Sequence, residues 1–542
     1  MKILLANNSG YKWHYMKTAC FSLYTKGYAF LKNKLYKEEE FLEIIDKILT
    51  DDGGETYLLD SLNELNGCFS IVVYNEERII AVSDRFRSFP ILYSINDEFV
   101  ITDDCTKLPD FILRTGLDIQ AIEEYKAFGY VTGEDTLLKP VKQLMAGQYI
   151  IYDIAKHNIQ KKYYYEFGYN RNPEIADMRL DEKLAKLDSI LIEAGKRMIE
   201  YLDGRTAVLS LSGGQDSRLI AIILKRLHYE NVITFCFGKR DNVEVEKSKH
   251  VADALGFRWI FIEYTSSDWE PILKNADADG YYSYAGNLTS VAHMAAYIAV
   301  DNMKNKNLIP ADSVFINGGR YDAATGSWTS AYYILHSGVR TSSLISGLFE
   351  RHAVNSHLSK INQKCIINKT IEVKEKFVDC NRAIGEEYRW GSSERHAKFI
   401  RNTNRVYEYF GYQWFSPLED KELYDFWQMV DKDDYWKRKL HYQYASKYMA
   451  PYVDIYDKVP VVKKSIKDNI VVRRLYSHFF VFFRKFKKKK LVLQYNSPVS
   501  TLSCFSEDEL LSLAAEYKGF LNGNRYNEEH YLQLLKKLIS ES

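Results

Sequence analysis

The chain has 542 residues, enough for two to four domains of roughly 150 residues each and a sizeable core. Lys+Arg 73 against Asp+Glu 72 leaves a formal charge of +1, without the broad positive field that backbone binding needs, so no nucleic-acid partner is expected. Hydrophobic residues at 46% and charged residues at 27% exclude a disordered, collagenous or coiled-coil chain.

Taken in chain order, Lys2 to Asn7 reads as a first strand, too short and too polar at Asn7, Asn8 and Ser9 for a signal-peptide core. Seven cysteines stand without a CxxC pair or metal-ligand spacing, which predicts a reducing cytoplasm. Apolar runs separated by turn residues from Leu58 to Thr102 predict a β-meander, and Tyr149 to Tyr152 a further strand. A first domain is expected to close near residue 170. Leu180, Leu184, Leu187, Leu191, Ala194 and Met198 then recur at helical spacing and open a second domain. Thr206–Leu211, Val232–Phe237, Trp259–Ile262 and Val314–Ile316 are apolar runs, each followed by a turn and a helical stretch. That alternation predicts an α/β domain with a parallel, doubly wound sheet. From about Asn368 the chain reads as mostly helical, with long amphipathic segments.

The sharpest chemical feature is Leu209-Ser-Leu-Ser-Gly-Gly-Gln-Asp-Ser-Arg218, a buried strand running into a glycine turn and a helix. Ser212, Gly213 and Gly214 let backbone amides approach an anion at the helix start. Asp216 would repel a bare phosphate, so it points to Mg²⁺ between carboxylate and phosphate. A tight turn with a good N-cap is the alternative reading of the hexapeptide alone. A second turn, Asn317-Gly-Gly-Arg-Tyr-Asp322, follows the strand at Val314. In a doubly wound sheet both turns open at carboxyl strand ends, where Asp216 and Asp322 could share one metal.

With these motifs the chain resembles the asparagine synthetase (glutamine-hydrolysing) family. Thr234 to Gly238 with Glu244, Glu246 and Val251 to Gly256, Phe415-Ser-Pro-Leu-Glu-Asp420 against the family's "PFLD", and Lys458 follow in the family's order. Leu65 to Phe69, Ser83 to Arg87, Pro90 to Tyr93, and Gly129 to Val131 with Thr136 and Gly147 are similar to its amidotransferase domain. The resemblance implies an Ntn-type αββα class II amidotransferase-like domain over 1–170 and an ATP pyrophosphatase (PP-loop) synthetase domain over 171–542. It implies ATP contacts at Leu211, Ser212, Gly213, Gly214, Asp216, Ser217, Phe237, Asn317 and Gly318, and Mg²⁺ on Asp216 and Asp322. Asp216 and Lys458 would be catalytic. The implied activity is amide-bond synthesis through a carboxylate adenylate, its partners a small-molecule or peptide carboxylate and an amine or ammonia; a homodimer is compatible with it.

The sequence also departs from the family. Lys2 stands where the nucleophilic cysteine belongs, the nearest thiol is Cys20, and the "GEIYN" glutamine motif is not recognisable in Lys26 to Tyr36. A fold without glutaminase activity is therefore expected. Gly319 replaces the second loop's glutamate, which puts an aspartate pocket in doubt. Relatives lacking the cysteine, such as β-lactam synthetase and lasso peptide cyclase, let a substrate amine close the amide; amidation of a sugar acid and a non-catalytic ATP-binding scaffold are the further alternatives. His478 to Lys490, aromatic then basic, reads as a helix end with a solvated tail rather than a membrane-surface segment.

Overall fold

The computed structural model describes residues 1–7, 10–50, 54–96, 98–240, 243–265, 267–269, 272, 278–319, 321–329, 338–353, 358–454 and 523–541. Lys458, Arg320 and the 478–490 stretch lie outside the described residues.

The N-terminal part begins with β1 (Lys2–Leu4), β2 (Trp13–Lys17), β3 (Ser22–Leu31) and β4 (Lys34–Lys37). It continues with β5 (Asn66–Tyr74), β6 (Arg78–Ser83), β7 (Leu92–Ile95), β8 (Phe99–Thr102), β9 (Val141–Gln143), β10 (Gln148–Asp153) and β11 (Asn158–Tyr163). One sheet runs β11-β10-β6-β5-β3-β2 with β4 on β3, the other β1-β8-β7-β9. The expected meander is thus split. β5 and β6 form a hairpin in the large sheet, whereas β7 and β8 form one in the small sheet, because Asp84 to Pro90 carries the chain across between them. Alternation along β5 explains the layering: Ile71 and Val73 pack with Phe41, Ile45 and Leu58 of the helices Glu38–Thr50 and Gly54–Ser61. Val72, with opposite side-chain direction, faces Ile91, Tyr93 and Ile101 of the small sheet. Leu92 and Val100 on the small sheet's other face join the cluster of Tyr125 and Phe128 from helix Ile119–Phe128. Helices thus cover the outer face of each of the two sheets.

Helix Leu180–Leu202 leads into the second sheet, burying Leu184, Leu187, Leu191, Ala194 and Met198 at the spacing read from sequence, whereas Leu180, expected on the same face, is exposed at the first turn, before the helix reaches the core. That sheet contains β12 (Ala207–Ser210), β13 (Val232–Gly238), β14 (Arg258–Glu263), β15 (Val314–Ile316) and, after the short strands β16 (Gly338–Arg340) and β17 (Phe377–Asp379), β18 (Gln413–Phe415). Its order is β14-β13-β12-β15-β18 and every pair is parallel. The strand order reverses between β12 and β15, which makes their carboxyl ends the switch point where such sheets bind ligands. Beyond residue 368 the described residues are mostly helical, as expected, and include the long helix Gly523–Glu541, but the run from 380 to 409 changes from α-helix to a π-helical stretch at Gly391–Ile400 and a 3-10 turn before ending as α-helix. Buried polar side chains break the regular spacing there: Glu394, His396, Lys398 and Arg401 are all inside.

The two parts are joined by polar contacts. Tyr11 Oη lies 2.9 Å from Tyr201 Oη, Asn66 donates to Asp420 at 2.9 Å, and the buried Lys398 ammonium donates to the carbonyls of Val131 and Gly133 at 3.0 and 2.6 Å.

Candidate functional site

β12 delivers the first glycine turn. Leu211 is buried and its N–H bonds the Phe235 carbonyl of β13 at 2.9 Å, so the turn starts from a fixed point. The chain then folds back on itself: Ser212 N–H donates to Ser217 Oγ at 3.2 Å, and Gly214 N–H donates to Ser212 Oγ at 3.2 Å. Helix Gln215–Arg226 begins at once, its apolar face (Leu219 to Leu224) held in the core. Gly214 opens this helix with no side-chain cap, so the helix start is left exposed for an anion.

β15 delivers the second turn. Asn317 is locked by four bonds: its N–H donates to Phe415 O at 3.2 Å, its amide to Asn404 Oδ1 at 2.9 Å, and its Oδ1 accepts from Ser416 at 2.7 Å and from the Gly319 N–H at 3.0 Å. Gly318 brings this turn onto the first, since a Cβ there would lie 3.2 Å from the Cβ of Asp216. Asp322 acts on Asp216 both through its charge and through its backbone N–H. The two carboxylates predicted from sequence are therefore neighbours. Asp322 also accepts from Ser327 Oγ at 3.2 Å and Trp328 Nε1 at 3.3 Å. Phe237, at the end of β13, is half-buried with its ring 5.3 Å from that of Tyr264.

Four further residues come to this site from other elements; three carry no signature in the sequence, and the fourth, Glu419, lies within the "PFLD"-like segment. Arg438 forms an ion pair with Asp216 from 222 residues downstream. It reaches there through a backbone in which both Lys437 (φ 48°) and Arg438 (φ 63°) are left-handed, a conformation costing roughly 1–2 kcal/mol per non-glycine residue. Burial pushes the Asp216 carboxyl up from its ordinary range; Arg438 pulls it back, and Asp322 pushes it up again. Arg395 sits with its guanidinium 5.4 Å from the Trp328 ring centre, and burial lowers its pKa while the charge of Asp322 opposes that. Lys247, of helix Val243–Leu255, lies against Gly213. Glu419 lies beneath the second turn, ion-paired with His396 at 2.6 Å and Arg401 at 2.7 Å.

Asp420 of the "PFLD"-like segment has a joining role. It caps helix Lys421–Met429 and accepts from Arg197 Nε at 2.7 Å. Among the described residues no three His, Cys, Asp or Glu side chains converge as a metal cluster. Two carboxylates with phosphate oxygens and water satisfy Mg²⁺, a hard cation that keeps much of its water, so Asp216 and Asp322 fit it provided that Arg438 gives way. A cavity of about 590 Å³ lies elsewhere, at the junction of 133–146 and 163–166 with 368–394. No helix among the described residues is long and apolar enough to cross a membrane.

Comparison with known proteins matches two separate stretches of the chain. Residues 42–165 match the glutamine amidotransferase domain family, and residues 205–309 match a family of unknown function. The chain is 25% identical over 223 residues to a putative asparagine synthetase (glutamine-hydrolysing) of Methanocaldococcus jannaschii, covering 36% of this chain and 41% of that protein. It is 39% identical over 61 residues to the 7-cyano-7-deazaguanine synthase of Staphylococcus saprophyticus, covering 11% of this chain and 27% of that protein. The chain thus spans less than half the length of these relatives. Among solved structures, the ammonia-dependent NAD synthetase of Campylobacter jejuni overlays on 35% of this chain and 73% of its own (17% identity, TM-score 0.18). The glutamine phosphoribosylpyrophosphate amidotransferase of B. subtilis overlays on 58% and 59% (10% identity, TM-score 0.18). Both overlays are too loose to define the fold.

Proposed function

We propose that this chain is an ATP-dependent amide ligase of asparagine synthetase type, which activates a carboxylate as its adenylate with release of pyrophosphate and passes it to ammonia or an amine. The observation that carries this reading is the meeting of Asp216 and Asp322 at the β12/β15 switch point, beside an uncapped helix start. In this reading the Gly213 amide and the uncapped start of helix Gln215–Arg226 bind phosphate, with Ser212, Gly214, Ser217 and Asn317 fixing the two turns around it. Leu211, Phe237 and Gly318 line the nucleotide. Mg²⁺, held by Asp216 and Asp322, would neutralise charge on the pyrophosphate. Arg438, displaced from Asp216, turns to the same phosphates, and Lys458 keeps the catalytic role that the resemblance gives it. The amidotransferase-like part serves as a folded partner for the synthetase rather than as a source of ammonia.

The test is pyrophosphate release from Mg·ATP with panels of amino acids, β-amino acids, peptides and uronic acids, with ammonium supplied. One acid is expected to support release that Asp216→Ala abolishes. A protein that binds ATP but releases pyrophosphate with none of them is a scaffold, and the reading fails.

A further inference from the structure

Helix Val243–Leu255 follows β13 and passes beside the first glycine turn. A Cβ on Gly213 would fall 3.1 Å from Lys247 Cδ and 3.5 Å from both Cα and Cγ of Glu244. The aliphatic stem of Lys247 therefore passes close to the backbone of the turn at Gly213, with its ammonium two bonds beyond the nearest carbon, Cδ. An exposed lysine ordinarily sends its charge into water along whichever rotamer is free; here the stem's closeness to Gly213 keeps the ammonium within reach of the turn. Among the described residues this ammonium has no ion-pair or hydrogen-bond partner, whereas Lys249 on the same helix is paired with Asp253 at 2.6 Å. The other side of the turn is occupied differently: Gly318 faces Asp216, which Arg438 holds. The turn thus lies between an already matched charge pair and an unmatched cation.

Resting on the reading of this turn as the ATP site, we infer that Lys247 is a pyrophosphate ligand, binding the β- and γ-phosphates of ATP from the neighbouring helix. Glycine-rich phosphate loops with a lysine in their own sequence place that cation within the loop. This turn has none between Leu209 and Arg218, and Lys247 supplies one from outside. Gly213 is needed for the same reason, because any side chain there would push the lysine stem off the turn. The pyrophosphate portion carries more negative charge than the α-phosphate, so the unmatched cation gains most by pairing with it.

The experiment is calorimetric titration of the full chain with inorganic pyrophosphate and, separately, with AMP, using wild type, Lys247→Ala and Lys247→Arg. Lys247→Ala is expected to weaken pyrophosphate binding about tenfold, Lys247→Arg to restore most of it, and AMP affinity to stay level in all three. Unchanged pyrophosphate affinity in Lys247→Ala, or an equal loss for AMP, overturns the assignment while leaving the ATP site standing. If wild type binds neither pyrophosphate nor AMP, the ATP reading itself fails and the role of Lys247 falls with it.

Discussion

Glu419 occupies the space that a side chain on residue 319 would need: a Cβ on Gly319 would lie 2.7 Å from Glu419 Cγ and closer still to the carboxylate. The second turn lacks the glutamate expected from the resemblance, and a buried carboxylate from the segment after β18 packs against it instead. Gly319 also has φ +56°, a conformation that disfavours any Cβ. Two independent restraints thus act on one residue, and they can be separated. Gly204 has φ +78° with nothing within 4 Å of an added Cβ. Gly204→Ala should cost only the backbone term, about 1–2 kcal/mol. Gly319→Ala should cost about 1–3 kcal/mol more through overpacking. Urea unfolding of both variants checks this, and equal midpoints would show that Glu419 moves aside freely.

Glu419 also sets an acid limit on stability. Burial would raise its pKa, but Arg401 and His396 more than offset that and hold it at about 2. A carboxylate depressed below its unfolded value of about 4.3 stabilises the fold above that value, and the contribution is lost as pH falls through about 2. Glu419→Gln should remove this dependence, flattening stability between about pH 4 and pH 2. It should also cost about 3–5 kcal/mol at neutral pH by leaving Arg401 buried without its partner. Chemical denaturation across that range is the measurement, and an unchanged slope would count against the pair.

The pairing of Arg438 with Asp216 predicts a shift in the pH dependence of catalysis. Burial raises the Asp216 carboxyl and Arg438 lowers it. Removing the arginine takes away the lowering cause, so the proton stays on Asp216 to higher pH. If pyrophosphate release needs Asp216 ionised, the acid limb of the kcat/KM profile should move to higher pH in Arg438→Met and stay near wild type in Arg438→Lys. An acid limb at the same pH in Arg438→Met would mean that another group controls it.

Much of this site was legible in the sequence because its turns are local. A strand, two glycines and an aspartate within ten residues specify their own geometry, and the same pattern recurring after β15 placed Asp322 beside Asp216. Arg438, Arg395 and Lys247 were not legible, since each reaches the site from a different element and stands in no distinctive spacing; Glu419 stands in the "PFLD"-like segment, but its place beneath Gly319 depends on the fold. The split meander was hidden for a related reason: β7 and β8 alternate like β5 and β6, and periodicity does not say which sheet a hairpin joins. The interior of Gly391–Ile400 defeats pattern reading altogether, because charged residues that read as a solvated face are buried and matched in part by partners distant in sequence, Lys398 by the carbonyls of Val131 and Gly133 as well as by Glu394 on its own helical run.

The last prediction concerns the amidotransferase-like part. β3 runs through the segment where the glutamine motif was not recognisable, and it buries Lys26 against Asp103 at 3.2 Å. Asp103 accepts as well from Trp13 Nε1 and from the N–H of Ala6, both at 2.8 Å, and the Lys26 ammonium stands 5.7 and 5.6 Å from the Trp13 and Phe89 ring centres. A buried charge pair fixed on four sides is costly to open, so Asp103→Ala should destabilise the protein by about 3–5 kcal/mol. At the edge of the small sheet, Lys2 is paired with Glu98 at 3.3 Å in place of a thiol. Purified protein is therefore expected to release no glutamate from glutamine, and Lys2→Cys is expected to release none either, because a nucleophile alone does not remove Lys26 from the interior. Glutamate formation by wild type above the spontaneous rate would show that hydrolysis proceeds without the family's cysteine. Formation by Lys2→Cys only would show that the missing thiol is the sole defect and that the Lys26–Asp103 pair leaves room for glutamine.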